Sequence, residues 1–372
     1  MRLVVAPDSF KGSLTSVEVA TALAEGWREV RPGDDVLLAP LADGGEGTLV
    51  AIEAAGGWTW QRAAATDPIG RPLTARWLRS SDGARAVVEL AEASGLSRLE
   101  ASERDPIGAS TRGTGEVLAA VLDAGIRTIT LGIGGSATTD GGAGILTALG
   151  ARVVDDRVDL AGLDPRLAEV ELRIACDVTN PLLGPTGAAA TYGPQKGATP
   201  GQVSELDRAL DRYAHWLISA TGRDERATPG AGAAGGTAFG LLSVADRFRS
   251  VRLVPGVEVV MEETGLGEKL AGADLVLTGE GRIDAQTAFG KTALGVARRA
   301  RAAGVACIAV GGGVDATGEA VLAELGVIAV GISEAPTSLE AAMAAGAAPV
   351  RRCGRRIARF VSLGQDIGNG TR

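Results

Sequence analysis

Short runs of apolar, mostly β-branched residues recur along the chain, each followed by a loop rich in Gly, Asp and Ser. Several of these loops lead into segments whose apolar positions repeat every three or four residues. Leu3 to Ala6 is the first such run, and Pro7-Asp8-Ser9-Phe10-Lys11-Gly12-Ser13 follows it. A helix comes next, opened by the capping box Thr15-Ser16-Val17-Glu18, with Val17, Ala20, Leu23, Ala24 and Trp27 on one face. Val36 to Ala39 leads into Ala42-Asp43-Gly44-Gly45-Glu46-Gly47-Thr48 and another helix. Thr128 to Ile133 leads into Gly134-Gly135-Ser136-Ala137-Thr138-Thr139-Asp140-Gly141-Gly142, and Leu172 to Cys176 ends at Asp177. Leu275 to Thr278 precedes Gly279-Glu280-Gly281-Arg282-Ile283-Asp284, Val305 to Val310 precedes Gly311-Gly312-Gly313-Val314-Asp315, and Val327 to Ile332 closes the series. This pattern predicts an α/β chain with largely parallel sheets, whose ligands sit beyond the carboxyl ends of the strands.

One stretch breaks the pattern. Leu73 to Leu78 alternates, Ser81-Asp82-Gly83 signals a tight turn and Ala84 to Leu90 is extended again, which predicts an antiparallel hairpin. An antiparallel element in mid-chain implies a second α/β domain inserted in the first, with residues 1–62 and 270–372 forming the outer domain and 63–269 the insert. The run Gly230-Ala231-Gly232-Ala233-Ala234-Gly235-Gly236 reads as a loop or hinge that lets the domains close.

Composition changes this picture only a little. A chain of 372 residues fits two domains better than one core. With 3% aromatics, the core must be built from Ala, Val, Leu and Ile. The 54 glycines cluster after strands, a pattern suited to backbone wrapped around an anion. A formal net charge of −8, without a basic stripe, argues against a nucleic-acid partner. The basic run Arg351 to Arg356 reads as a solvated helix start. Three cysteines without CxxC spacing, an N-terminus too short for a signal h-region and no long apolar span predict a cytoplasmic protein.

Three motifs invite a wrong reading. Gly132-x-Gly134-x-x-Ala137, with Asp155 beyond it, has the spacing of a dinucleotide fingerprint, but glycines fill the turns where a helix should start. Tyr192-x-x-x-Lys196 has dehydrogenase spacing, yet Gly193-Pro194 breaks the helix such a pair needs. Ala285 to Thr292 approximates a P-loop but does not begin where its strand ends; Gly290-Lys291-Thr292 still opens a helix suited to a phosphate contact. The single histidine, His215, lies in the amphipathic segment Leu206 to Ile218 without a partner His or Cys, which argues against zinc, haem and Ser-His-Asp chemistry.

What survives is a set of acids and lysines at strand ends. Phosphoryl transfer needs a carboxylate for the hydroxyl proton, cations against the moving charge and N–H groups around phosphates. Asp8, Asp43, Asp177 and Asp284 are the carboxylates, and Lys11, Lys196 and Lys291 the cations. Each Asp alone would read as an N-cap or turn residue; the ensemble carries the reading.

The motifs around these residues resemble those of the type 1 glycerate kinases, the bacterial glycerate 2-kinases. The resemblance rests on Ala6 to Leu14, Ala42 to Thr48, Thr66-Asp67-Pro68-Ile69-Gly70, Gly132 to Gly142, Cys176 to Gly184, Gly193 to Ala198 and Gly279 to Thr287, in the family's order. It implies a Rossmann-like three-layer domain with a second α/β domain inserted and the active site between them. It also implies phosphorylation of D-glycerate to 2-phosphoglycerate with ATP and Mg²⁺, releasing ADP. Arg112 departs from the family pattern. On this reading Asp8, Lys11, Asp43 and Asp284 are catalytic, and Ser9, Gly44, Gly45, Thr48 and Asp67 bind glycerate. Gly134, Gly135, Ser136, Gly141, Lys196 and Lys291 contact the nucleotide, while Asp177 and Asp284 are the candidates for Mg²⁺ or for the base. The alternatives are a nicotinamide-dependent oxidoreductase using Gly132 to Ala137 and a non-catalytic nucleotide-binding module. A homodimer is left open.

Overall fold

The computed structural model describes residues 1–10, 12–285, 287, 292–334, 338–368 and 370. The chain divides into two compact units, one comprising 1–42, 50–56 and 260–372, the other 43–49 and 57–259. The second unit thus interrupts the first in sequence. The division falls at 57 and 260 rather than at 63 and 270. The strand Trp58–Thr66 pairs along its whole length with Pro72–Ser80, so no boundary can cut it. At the other end Lys269 ties itself to the first unit, its Nζ donating to the carbonyls of Leu38 (2.9 Å), Ala55 (2.8 Å) and Thr264 (2.7 Å).

The first unit carries a five-stranded parallel sheet, ordered β13-β12-β11-β1-β2. Its strands are β1 (Arg2–Pro7), β2 (Asp35–Leu38), β11 (Leu275–Ile283), β12 (Ala306–Val314) and β13 (Ile328–Gly331). Leu3, Val5, Leu275 and Leu277 face the helices Ser16–Arg28 and Ala348–Gly368, while Val4 and Val276, which point to the opposite face, are equally buried. Both faces are therefore covered, and the near-continuous apolar strands follow from that. The capping box at Thr15 and Glu18 is present as predicted. The two helices cross at Gly26, where a Cβ would meet the Arg351 carbonyl at 1.9 Å. The basic run falls in the opening turns of the helix Ala348–Gly368, but not all of it is solvated: Arg351 and Arg355 pair with Glu29, and Cys353 is buried.

Glycine misleads in one respect. Residues 279–283 and 311–314, read as loops, are strand: Glu280 lies opposite Gly311, Arg282 opposite Gly313 and Ile283 opposite Val314. The ladder continues because the two strands approach closely, with the Val310 carbonyl 2.4 Å from where a Cβ on Gly279 would stand.

The second unit carries a six-stranded mixed sheet, ordered β10-β9-β6-β5-β4-β3. β3 (Trp58–Thr66), β4 (Pro72–Ser80) and β5 (Arg85–Glu89) form an antiparallel meander, while β5, β6 (Thr128–Gly132), β9 (Glu171–Ala175) and β10 (Ser250–Val254) run parallel. The predicted turn is there, with Gly83 at φ +73 and the Asp82 carboxylate accepting the Ala84 N–H at 3.0 Å. A small separate hairpin joins β7 (Arg152–Val154) and β8 (Arg157–Asp159). The run 230–236 is no hinge between units. It lies wholly inside the second unit, with Ala234, Gly235 and Gly236 in left-handed conformations and Gly235 pressed against the Thr138 carbonyl.

Candidate active site

The Asp43–Thr48 loop is seated against the carboxyl ends of the second unit's parallel strands. Three of its contacts tolerate no side chain. A Cβ on Gly256, just past β10, would stand 2.1 Å from the Asp43 carbonyl; one on Gly132 would stand 2.7 Å from the Gly44 carbonyl; one on Gly134 would stand 2.5 Å from Gly45 Cα. Gly44 itself, at φ +81, packs on Ala175 at the end of β9. Glycine is required here because backbone meets backbone.

This seating brings Asp43 and Asp177 together. Asp177 follows β9, and its Oδ1 accepts the Gly256 N–H at 2.7 Å. Burial raises the Asp177 pKa, the Gly256 N–H opposes the shift, and the nearby Asp43 charge raises it further. Asp43 is exposed, and its Oδ1 accepts the Gly45 N–H at 3.2 Å. Thr48, at the head of the helix Thr48–Ala54, is buried with no hydrogen-bond partner for its hydroxyl.

Around the loop after β6, Gly135 is exposed at φ +73 and Ser136 is buried. Lys196 is buried beneath them, its Nζ donating to Ser136 Oγ at 2.9 Å and to the Thr138 carbonyl at 2.5 Å. Burial lowers its pKa to about 7 against the opposing pull of Asp140. Lys196 therefore braces the loop from below. Gly141 is packed on Tyr213, and its N–H donates to the Gly235 carbonyl, so it is an internal contact of the unit. Asp67 is likewise spent locally: it accepts from the Ile69 and Arg71 N–H groups and pairs with the Arg71 guanidinium. Burial works against its charge, yet those bonds hold its pKa below the usual value.

In the first unit, Asp8 and Asp284 follow neighbouring strands, β1 and β11. The Asp8 N–H donates to the Gly279 carbonyl (2.8 Å), its Oδ1 accepts the Ser9 N–H (2.6 Å) and its Oδ2 accepts Thr292 Oγ1 (2.6 Å). Asp284 pairs with Arg282 at 3.3 Å, and its N–H donates to Thr287 Oγ1. Glu280, not singled out from sequence, is buried beside them and accepts the Thr287 hydroxyl at 2.9 Å. Its position between Gly279 and Gly281 in the second half of β11 was the available signal. Lys11 and Lys291 lie outside the described residues. His215 is exposed, with Nδ1 against the Asp211 carbonyl of its own helix.

The dinucleotide reading fails on geometry. The helix after β6 begins only at Ala143, and Gly134 is closed off by Gly45. A model of the glycerate kinase family matches residues 3–362. The chain belongs to the glycerate kinase family. It is 42% identical to a glycerate kinase of Halalkalibacterium halodurans over 96% of this chain and 97% of that protein. It is 44% identical to the glycerate 2-kinase of Escherichia coli K12, covering 81% and 82% of the two chains. A solved structure of a Salmonella typhimurium LT2 protein assigned as glycerate kinase 2 is 41% identical and superposes with a TM-score of 0.84, covering 98% of this chain and 99% of that one. As a glycerate kinase the protein is a phosphotransferase.

Proposed function

We propose that this glycerate kinase transfers the γ-phosphoryl group of ATP to the 2-hydroxyl of D-glycerate, releasing 2-phosphoglycerate and ADP. The carrying observation is that a glycine-seated loop brings Asp43 close enough for its charge to act on Asp177. Such a pair is unfavourable by itself, since burial and like charge both raise the Asp177 pKa, and a cation relieves both penalties.

Mg²⁺ carried with a nucleotide takes one or two carboxylates from the protein and the rest from phosphate and water. Asp177 is the residue for it, and the ion supplies charge to offset the phosphates. Asp43 accepts the hydroxyl proton. Gly44, Gly45, Thr48 and Ser9 bind glycerate, the buried Thr48 hydroxyl supplying a polar group in need of a partner. Gly134, Gly135 and Ser136 receive the phosphates, and Lys196 keeps that loop in shape. Asp8, Lys11 and Asp284 complete the catalytic set, and Lys291 contacts the nucleotide. We place the enzyme in the cytoplasm; no helix among the described residues is long and apolar enough to cross a membrane.

Purified protein incubated with ATP, Mg²⁺ and D-glycerate should release ADP at a rate that depends on glycerate, with much slower release on hydroxypyruvate or glycolate. Phosphorus NMR should show 2-phosphoglycerate; a 3-phosphoglycerate product or glycerate-independent ADP release overturns the proposal. Asp177→Asn should lower kcat by about 100-fold or more while Tm moves little. Near-normal turnover in this variant removes Asp177 from the metal role.

A further inference from the structure

The Asp43–Thr48 loop is seated at its start by Gly256 and at its centre by Gly132 and Gly134. Its far end is held differently. Glu89, the last residue of β5, lies at the carboxyl end of the sheet with 5% of its surface exposed. Its Oε1 accepts the Leu49 N–H at 2.6 Å, and the Gly47 N–H also stabilises its charge. Both donors stand where the loop turns into the helix Thr48–Ala54, which leaves N–H groups that need acceptors. The Gly132 backbone packs against the Glu89 side chain as well, with a would-be Cβ 3.7 Å from Glu89 Cγ.

A buried carboxylate at this place is costly. Burial raises the Glu89 pKa to about 7; the Leu49 and Gly47 N–H groups oppose that shift, while Glu92 and Glu46 add to it. Among the described residues no cation forms an ion pair with it, although the Arg76 charge acts on it from a distance; Glu92, by contrast, holds Arg76 and Arg98 directly. An apolar side chain of similar volume would avoid that cost but would take the acceptor away from the Leu49 and Gly47 N–H groups. What the carboxylate supplies is a two-point grip on the loop that carries Asp43, Gly44, Gly45 and Thr48.

We propose that Glu89 is a positioning residue of this enzyme: it clamps the C-terminal end of the Asp43–Thr48 loop to the sheet so that the loop is preformed for glycerate. The proposal rests on the assignment of that loop to glycerate. Preorganisation of this kind acts on acceptor affinity, because the loop no longer has to be ordered when substrate arrives.

The test compares Glu89→Ala, Glu89→Asp and Glu89→Gln with the wild type by two measurements. In steady-state kinetics, E89A should raise KM for glycerate about tenfold while KM for ATP stays within about twofold. E89D, whose carboxylate is retracted by one methylene, should follow E89A and serves in its place should E89A fail to fold. E89Q keeps length and an acceptor oxygen, so its glycerate KM should return to within about twofold of wild type. An unchanged glycerate KM in E89A or E89D overturns the proposal, as does an E89Q as impaired as E89A, or a parallel rise in both KM values with a fall in Tm. The second measurement, hydrogen exchange, needs no activity: amides of residues 47–49 should exchange faster in E89A or E89D. Unchanged protection there sinks the clamp even where glycerate phosphorylation stands. Faster exchange in a protein without glycerate-dependent ADP release leaves the clamp standing and sinks the assignment of glycerate instead.

Discussion

The two units position their acids by opposite means. In the first, Asp8 and Asp284 follow adjacent parallel strands, and the ladder that pairs Pro7 with Gly279 sets their places; local bonds from Ser9, Thr292 and Arg282 finish the job. In the second, Asp43 follows no strand of its own unit. Its loop reaches the sheet through close backbone contacts with Gly132, Gly134 and Gly256, through Gly44 packed on Ala175 and through the grip of Glu89. A ladder sets position with many small, replaceable contributions. A glycine seat does so through a few contacts that leave no room, so the second arrangement should be the more brittle.

That contrast can be broken or sharpened by substitution. The largest effect is expected from Gly256→Ala, whose Cβ would lie 2.1 Å from the Asp43 carbonyl, a backbone atom with nowhere to go. Displacing the loop by about 1 Å should lower kcat/KM by about 100-fold. Wild-type kinetics in this variant would erase the contrast. A smaller effect should follow from Thr292→Val, which removes the 2.6 Å bond to Asp8 but leaves the β1–β11 ladder intact. Stability in a denaturant titration should fall by about 1 kcal/mol and kcat by about tenfold, and a loss equal to that of Gly256→Ala would show the first unit to be just as brittle. The smallest effect, and of opposite sign, should come from Gly201→Ala. Gly201 lies in the first turn of the helix Pro200–Thr221 with nothing near its missing Cβ, so alanine should stabilise by about 0.5 kcal/mol. A loss of stability there would show that open space at a glycine is a poor guide to tolerance in this protein.

Much of the architecture was legible in the sequence because it follows from local pattern. Most of the strand–loop–helix phrases, the capping box at Thr15 and the turn at Ser81-Asp82-Gly83 stand where they were read. β3 was missed because Trp58 to Thr66 mixes apolar, polar and charged residues without clean alternation. Its character comes from cross-strand partners: Arg76 of β4 stacks on Trp60 at 4.7 Å and Arg85 of β5 on Trp58 at 5.0 Å. The extension of β11 and β12 through their glycines was read as loop because glycine marks turns far more often than ladders.

The candidate site divides along the same line. Residue types and strand-end positions singled out Asp8, Asp43, Asp177 and Asp284, since strand ends in parallel sheets are where polar loops collect. Their neighbours decided the rest. Asp67, Gly141 and Lys196 carry the same motif language, yet each is engaged inside its own unit, by Arg71, by Tyr213 and Gly235, and by Ser136 and Thr138. Glu89 gave no signal at all, being one acid at the end of an apolar strand.

Taken by itself, the sequence determined the elements, their alternation and the kinds of group available for phosphoryl transfer, because these depend on periodicity and side-chain chemistry over a few residues. Which acid faces which, which lysine is buried and which glycine bears a neighbouring backbone were decided only by tertiary structure. Those properties arise from contacts between segments as distant in sequence as Asp8 and Thr292, and burial and Coulomb interaction depend on distance in space.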